Sequence, residues 1–161
     1  MKGSKRLVVV GIMVAMTVVF LGIPAFAQDK PADDMQIVRD KIKADKKLFV
    51  SENMKLTESE AKAFWPVYDS YQKDLAKLND RAGKLIQDYA KNYESMSNEA
   101  AKKMIDDFMA IQADQQKLRA SYLPKVRGVL PEKKVARYYQ LENKIGAVVS
   151  YILASNIPLV K

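Results

Sequence analysis

Two residue types are missing from this chain: among its 161 residues there is no cysteine and no histidine. Without cysteine there is no disulfide, no thiolate chemistry and no acylated N-terminal cysteine, so the fold rests on packing. Without histidine the commonest metal ligand, the commonest general base and the usual pH switch are gone. Glycine is scarce as well. Only Gly83, Gly128 and Gly146 lie beyond residue 27, and no glycine-rich phosphate loop can be assembled from them.

The remaining chemistry is equally thin. A nucleophile here would need a lysine, aspartate or glutamate as its base, and no serine stands in a recognisable nucleophile setting. Asp106 and Asp107 are adjacent, so on a helix their carboxylates point about 100° apart. They read as a solvated face rather than a shared site. Beyond residue 27 the methionines are Met35, Met54, Met96, Met104 and Met109. Thioethers bind copper(I) in exported proteins, but these are scattered, and methionine at helical spacing fills cores. The sequence predicts no enzyme, no cofactor and no metal.

What is present begins with a leader. Lys2, Lys5 and Arg6 precede an apolar run from Leu7 to Leu21; Gly22 and Pro24 break it, and Ala25-Phe26-Ala27 fits a small-x-small cleavage site before Gln28. The run of about 15 residues is short of the ~20 that span a bilayer. The reading is a cleaved secretory signal over 1–27, a single domain over 28–161, and no membrane span after cleavage. Removing those three basic residues leaves 24 of the 27 against 19 acids, a net +5. The charge is modest and spread out, so nucleic acid is a poor partner.

From Asp33 onward apolar residues recur at helical spacing, which predicts an all-α fold of four helices. The first covers Asp33 to Val50, with Met35, Val38, Ile42 and Phe49 on one face. The second runs from Thr57 to about Glu94, with Phe64, Tyr68, Tyr71, Leu75, Leu78, Ala82, Leu85 and Tyr89 alternating in steps of four and three, a heptad seam. Thr57 and Glu60 form the N-cap and N3 of a capping box. The third starts near Ser97 or Asn98 and ends near Arg127, with Met104, Phe108, Ile111, Gln115, Leu118 and Tyr122 as its stripe and Pro124 set to kink or shorten it. The fourth starts at Pro131, a favoured first-turn residue, and carries Val135, Tyr138, Ile145, Val149 and Ile152 until Asn156 and Pro158 stop it.

Three features stand out against this layout. Pro66 falls inside the second helix beside Trp65, the one tryptophan. Proline in a helix interior removes a hydrogen bond and clashes one turn back, at about 3 kcal/mol. It predicts either a kink, with Phe64 and Trp65 packed at the elbow, or two helices meeting there. Glu142 follows the stripe of the fourth helix. It is either buried, needing Arg81, Arg119 or Arg137 as a partner, or lies on the rim with Leu141 facing the core. Finally, eight tyrosines suit surfaces that are half covered, because the ring buries while the hydroxyl stays wet. Phe64, Trp65, Tyr68, Tyr71, Tyr89 and Tyr93 are the candidate binding residues, and Thr57, Pro66, Pro131 and Glu142 the structural ones.

The short starts Leu56-Thr57-Glu58-Ser59-Glu60 and Leu130-Pro131-Glu132-Lys133-Lys134 echo each other. The first resembles the LTXXQ motif of the Spy/CpxP group of periplasmic helical proteins, with Glu60 where glutamine is usual; the second fits less well, lacking both Thr and Gln. The resemblance implies an elongated, bent helical hairpin, often a cradle-shaped homodimer, that binds unfolded proteins or senses envelope stress. The metal-responsive members of that group use histidines, which this chain lacks. Sequence and resemblance together lead to a periplasmic, chaperone-like binding protein, with an adaptor for one folded envelope partner as the alternative.

Overall fold

The computed structural model describes residues 32–160, with side chains from 43 to 160. The leader expected over 1–27 lies outside the described residues. Four α-helices follow in order: α1 (Ala32–Met54), α2 (Glu58–Asn92), α3 (Asn98–Arg127) and α4 (Glu132–Asn156). The described residues contain no strand, and the all-α prediction holds.

The chain divides between Lys55 and Leu56 into two units. In the first, α1 runs on past Val50 to Met54. Val50 and Met54, one turn apart, are fully buried, and Phe49 is half-buried. The side chains of Met35, Val38 and Ile42 lie outside the described residues. The helix stops where Lys55 takes a φ of 49°, the left-handed turn that commonly ends a helix.

The second unit holds α2, α3 and α4. The first of these opens on the predicted box. The Thr57 side chain accepts from the Glu60 amide, and the Thr57 amide donates to Glu60 Oε2 at 2.7 Å. Two amides at the helix end are thereby satisfied reciprocally. The helix then runs without interruption through Pro66 to Asn92, about 52 Å at 1.5 Å per residue. The alternative of two helices meeting at Pro66 is therefore excluded. Pro66 lies on the exposed face, where water can take up the carbonyl left without a donor, and the Ser70 hydroxyl donates to the Pro66 carbonyl at 2.9 Å. Ser97 caps α3 through its side chain and the Ala100 amide at 3.2 Å. Pro124, also exposed, does not end α3, which continues to Arg127. Pro131 is the N-cap of α4, and its carbonyl accepts from Lys134 and Val135.

Side-chain pairs give the topology. Asp74 meets Tyr122 and Arg81 meets Asp114; numbers rise along α2 as they fall along α3, so the two are antiparallel. Glu60 meets Lys134, Phe64 meets Tyr138, Gln72 meets Glu142 and Tyr89 meets Pro158. These rise together, so α4 returns parallel to α2. The two echoed helix starts consequently sit side by side, tied by the Glu60–Lys134 ion pair.

Burial follows the seams unevenly. In α2, Phe64, Tyr68 and Tyr71 are buried, while Leu75, Leu78, Ala82, Leu85 and Tyr89 are half-buried. In α3, Ile111, Tyr122 and Val126 are buried, but Phe108, expected in the stripe, is 46% exposed. The core is deepest where Val126, Leu130, Val135, Tyr138 and Leu141 join the first turns of α2. Towards the α2–α3 turn it thins to half-buried positions, and Phe108 lies there.

Candidate functional site

The aromatic residues singled out in α2 divide by exposure. Phe64, Tyr68 and Tyr71 are core residues, and Trp65, Tyr89 and Tyr93 are half-buried. Around Phe64 the rings form one connected cluster. Its centroid is 5.2 Å from Trp65, 5.9 Å from Tyr68 and 5.1 Å from Tyr138, the last edge-on. Trp65 meets Tyr68 at 5.3 Å, also edge-on, and Tyr138 leads on to Tyr139 at 5.5 Å. A second pair, Tyr71 and Tyr122, lies 5.3 Å apart between α2 and α3. Tilted and edge-on rings put a positive edge on a negative face, worth about 0.5–1.5 kcal/mol per pair beyond area burial. Tyr89 and Tyr93 form a separate pair at 5.9 Å, and the Tyr89 hydroxyl donates to the Pro158 carbonyl at 2.7 Å.

The carboxylate of Glu142 is set among these rings. Its residue is 5% exposed, and Leu141 beside it is also buried. The rim placement is thus corrected: two adjacent positions reach the core because α4 faces both α2 and α3, so its buried arc is wider than one seam. The arginine partners are corrected in part. Arg81 is engaged with Asp114 and Arg119 with Asn143, both at 2.7 Å, while Gln72 Nε2 donates to Glu142 Oε1 at 3.3 Å. Burial, and then the Glu142 charge, pushes the hydroxyl groups of Tyr68 and Tyr138 well above the usual tyrosine range. Tyr71 and Tyr139 are raised too, chiefly by burial. Glu60 is shifted the other way. The Lys134 ammonium, and then the Thr57 amide, hold its carboxyl below the usual value.

The Tyr138 hydroxyl is buried with no hydrogen-bond partner, which costs about 1–3 kcal/mol in desolvation. Tyr138→Phe is therefore expected to raise stability by about 1 kcal/mol. Urea unfolding checks this, and a loss of stability on removing the hydroxyl would contradict it.

The sequence missed an exposed apolar face. Ile105, Phe108 and Met109 are 52%, 46% and 61% exposed within about one turn of α3. Two of the three, Ile105 and Met109, fall off the predicted stripe, and this was the only available signal: apolar residues with no seam to occupy. Between α2 and α3 a shallow cleft lined by Arg81, Lys84, Leu85, Asp88, Lys103, Asp107 and Ile111 encloses about 230 Å³. This is smaller than the roughly 300–1,000 Å³ of small-molecule sites, and its charges are in part paired with each other, as in Lys103–Asp107. Among the described residues no group of acidic side chains is placed to hold a metal ion, and no helix is long and apolar enough to cross a membrane. Comparison with protein families, with curated proteins and with solved structures finds no match.

Proposed function

We propose that this chain is an exported, non-catalytic helical protein that holds unfolded or stress-exposed proteins of the periplasm. The observation that carries this reading is the cluster of Ile105, Phe108 and Met109 exposed together on α3. Soluble monomers rarely leave such a cluster bare without a binding role. Phenylalanine and methionine make an adaptable contact surface suited to many apolar segments. The modest positive charge attracts acidic stretches of a client at longer range. The resemblance of Leu56 to Glu60 to the LTXXQ motif supports the same class of function.

The second reading is an adaptor for a single folded envelope partner. It is favoured by the small size of the α3 face, which suits one partner helix. Client breadth separates the two. The secreted protein is purified from the periplasm of an expressing host, and mass spectrometry is expected to place its N-terminus at Gln28. At equimolar ratio it should slow the aggregation of several unrelated denatured proteins. Suppression of none of them would remove the holding function, and binding to one folded target alone would establish the adaptor.

Pro66 tests how the long helix contributes. Pro66→Ala restores a backbone donor on an exposed face, so stability is expected to rise by up to about 3 kcal/mol, the intrinsic helix-interior difference. If a bend at Pro66 shapes the binding face, client affinity falls at the same time and Trp65 emission shifts. Unchanged affinity would assign the proline to local structure only.

A further inference from the structure

Met109 is the most exposed of the three residues that form the apolar face of α3, and among them it alone carries a sulfur that small oxidants attack. We propose that Met109 is an oxidation site: a two-electron oxidant of the hypochlorous acid class converts its thioether to the sulfoxide, and the α3 face then loses its hold on apolar segments. The loss of hold rests on the holding function proposed above. The site of reaction stands without it.

What the chain lacks directs the oxidant to methionine. Thiols react with such oxidants before other side chains, and imidazoles compete as well; the chain has neither. Its one tryptophan, Trp65, is half-buried against Phe64 and Tyr68. Thioethers are then the fastest-reacting groups left, and exposure ranks them. Met54 is fully buried, Met96 and Met104 are half-buried, and Met109 is 61% exposed. Of these, Met109 is the one that an oxidant in water meets first.

The reaction balances with one molecule of oxidant. A sulfur lone pair takes the oxygen of hypochlorous acid, the O–Cl bond breaks, and chloride and one proton leave. Sulfur is oxidised by two electrons and chlorine is reduced by two. The side chain becomes polar and chiral where it was apolar and pliable. At position 109 the fold tolerates this, because the side chain is outside the core and water meets the new oxygen. The face does not. Ile105 lies one turn back on the same side of α3, and around the cluster Lys102, Asp106, Gln112 and Gln116 are exposed. With Met109 polar, Ile105 stands among polar neighbours and the cluster is no longer one apolar patch. The change is reversible: a dithiol-dependent sulfoxide reductase returns the thioether, forming one disulfide and one water per sulfoxide.

The test uses the exported protein purified from the periplasm, hypochlorous acid as the oxidant, and fluorescein-labelled casein, an unfolded chain, as the client probe. Peptide mass mapping after graded additions is expected to find sulfoxide at Met109 before Met54, Met96 or Met104. When Met109 is fully converted, casein anisotropy should report binding about tenfold weaker, the order expected when one methionine side chain is withdrawn from an apolar contact. The melting temperature should not change, and methionine sulfoxide reductases with dithiothreitol should restore binding. Met109→Leu keeps an apolar side chain without the sulfur, so the same treatment should leave that variant's own affinity where it started. Met35, whose side chain lies outside the described residues, is present in both proteins, so the comparison isolates Met109. Oxidation of Met54, Met96 or Met104 ahead of Met109 would overturn the site. Equal casein binding by the parent before and after oxidation, or a Met109→Leu variant that loses as much binding as the parent, would overturn the switch and leave the holding function in place. A parent that binds neither casein nor any denatured client would remove the holding function and the switch together, while the mass map decides the site by itself.

Discussion

Replacing Phe64 by alanine is expected to destabilise the protein by about 3–5 kcal/mol, the range for deleting a fully buried phenylalanine ring. Phe64 has no exposed surface, and its ring lies within 6 Å, centroid to centroid, of Trp65, Tyr68 and Tyr138. Alanine leaves a cavity where α2 and α4 meet, and three rings lose an edge or face contact at once. Phe108→Ala is the control. Both phenylalanines occupy predicted seam positions, but Phe108 is 46% exposed, and its truncation should stay within about 0.5 kcal/mol. Urea midpoints of the two variants, compared at equal slope, measure the difference. Similar losses for both would mean that the core does not lie where the rings converge.

That contrast shows where sequence reading ends. The spacing of Phe64 and Phe108 in their helices is the same kind of signal, and periodicity assigns both inward. What separates them is the depth of the bundle at each height, and this depends on how three helices are brought together. The helix starts were legible because they are local: Thr57 with Glu60, Ser97, and Pro131 each act within one turn. The heptad seam made one helix from Thr57 to about Glu94 legible, but a break at Pro66 stayed open beside it, because the cost of about 3 kcal/mol inside a helix competes with a seam that continues through Phe64, Tyr68 and Tyr71. Packing along that seam prevails, and the proline faces water. Glu142 was legible as an anomaly. Its environment was not, because Gln72 and Tyr68 of α2 come near it only once α4 returns parallel to α2, and no residue near Glu142 encodes that return. The exposed face of Ile105, Phe108 and Met109 escaped notice for a related reason: an apolar residue off the seam has no periodic partner to mark it.

Raising the pH is expected to unfold this protein cooperatively. Tyr68 and Tyr138 are buried, and burial followed by the Glu142 charge raises both hydroxyls above their ordinary value. The folded protein thus keeps two protons that the unfolded chain gives up above about pH 10, the ordinary tyrosine value. Stability from these groups is complete below that pH and falls as pH rises towards the folded values. Each tyrosine costs about 1.4 kcal/mol per pH unit, so the pair costs about 2.7 kcal/mol per unit and about 5 kcal/mol by pH 12. That equals the lower end of a whole domain's stability, about 5–15 kcal/mol. Tyr71, raised in the same direction by burial, steepens the loss. Helix content by circular dichroism should therefore collapse within this window, and a fraction of the tyrosinate absorbance should appear only together with that collapse. Lysine deprotonation acts on any variant alike, so the decisive comparison is with the double variant Tyr68→Phe and Tyr138→Phe at the same pH. Its alkaline transition should move upward and lose most of its steepness. A double variant that unfolds at the same pH, with the same slope, would show that the two hydroxyls are not shielded together by α4.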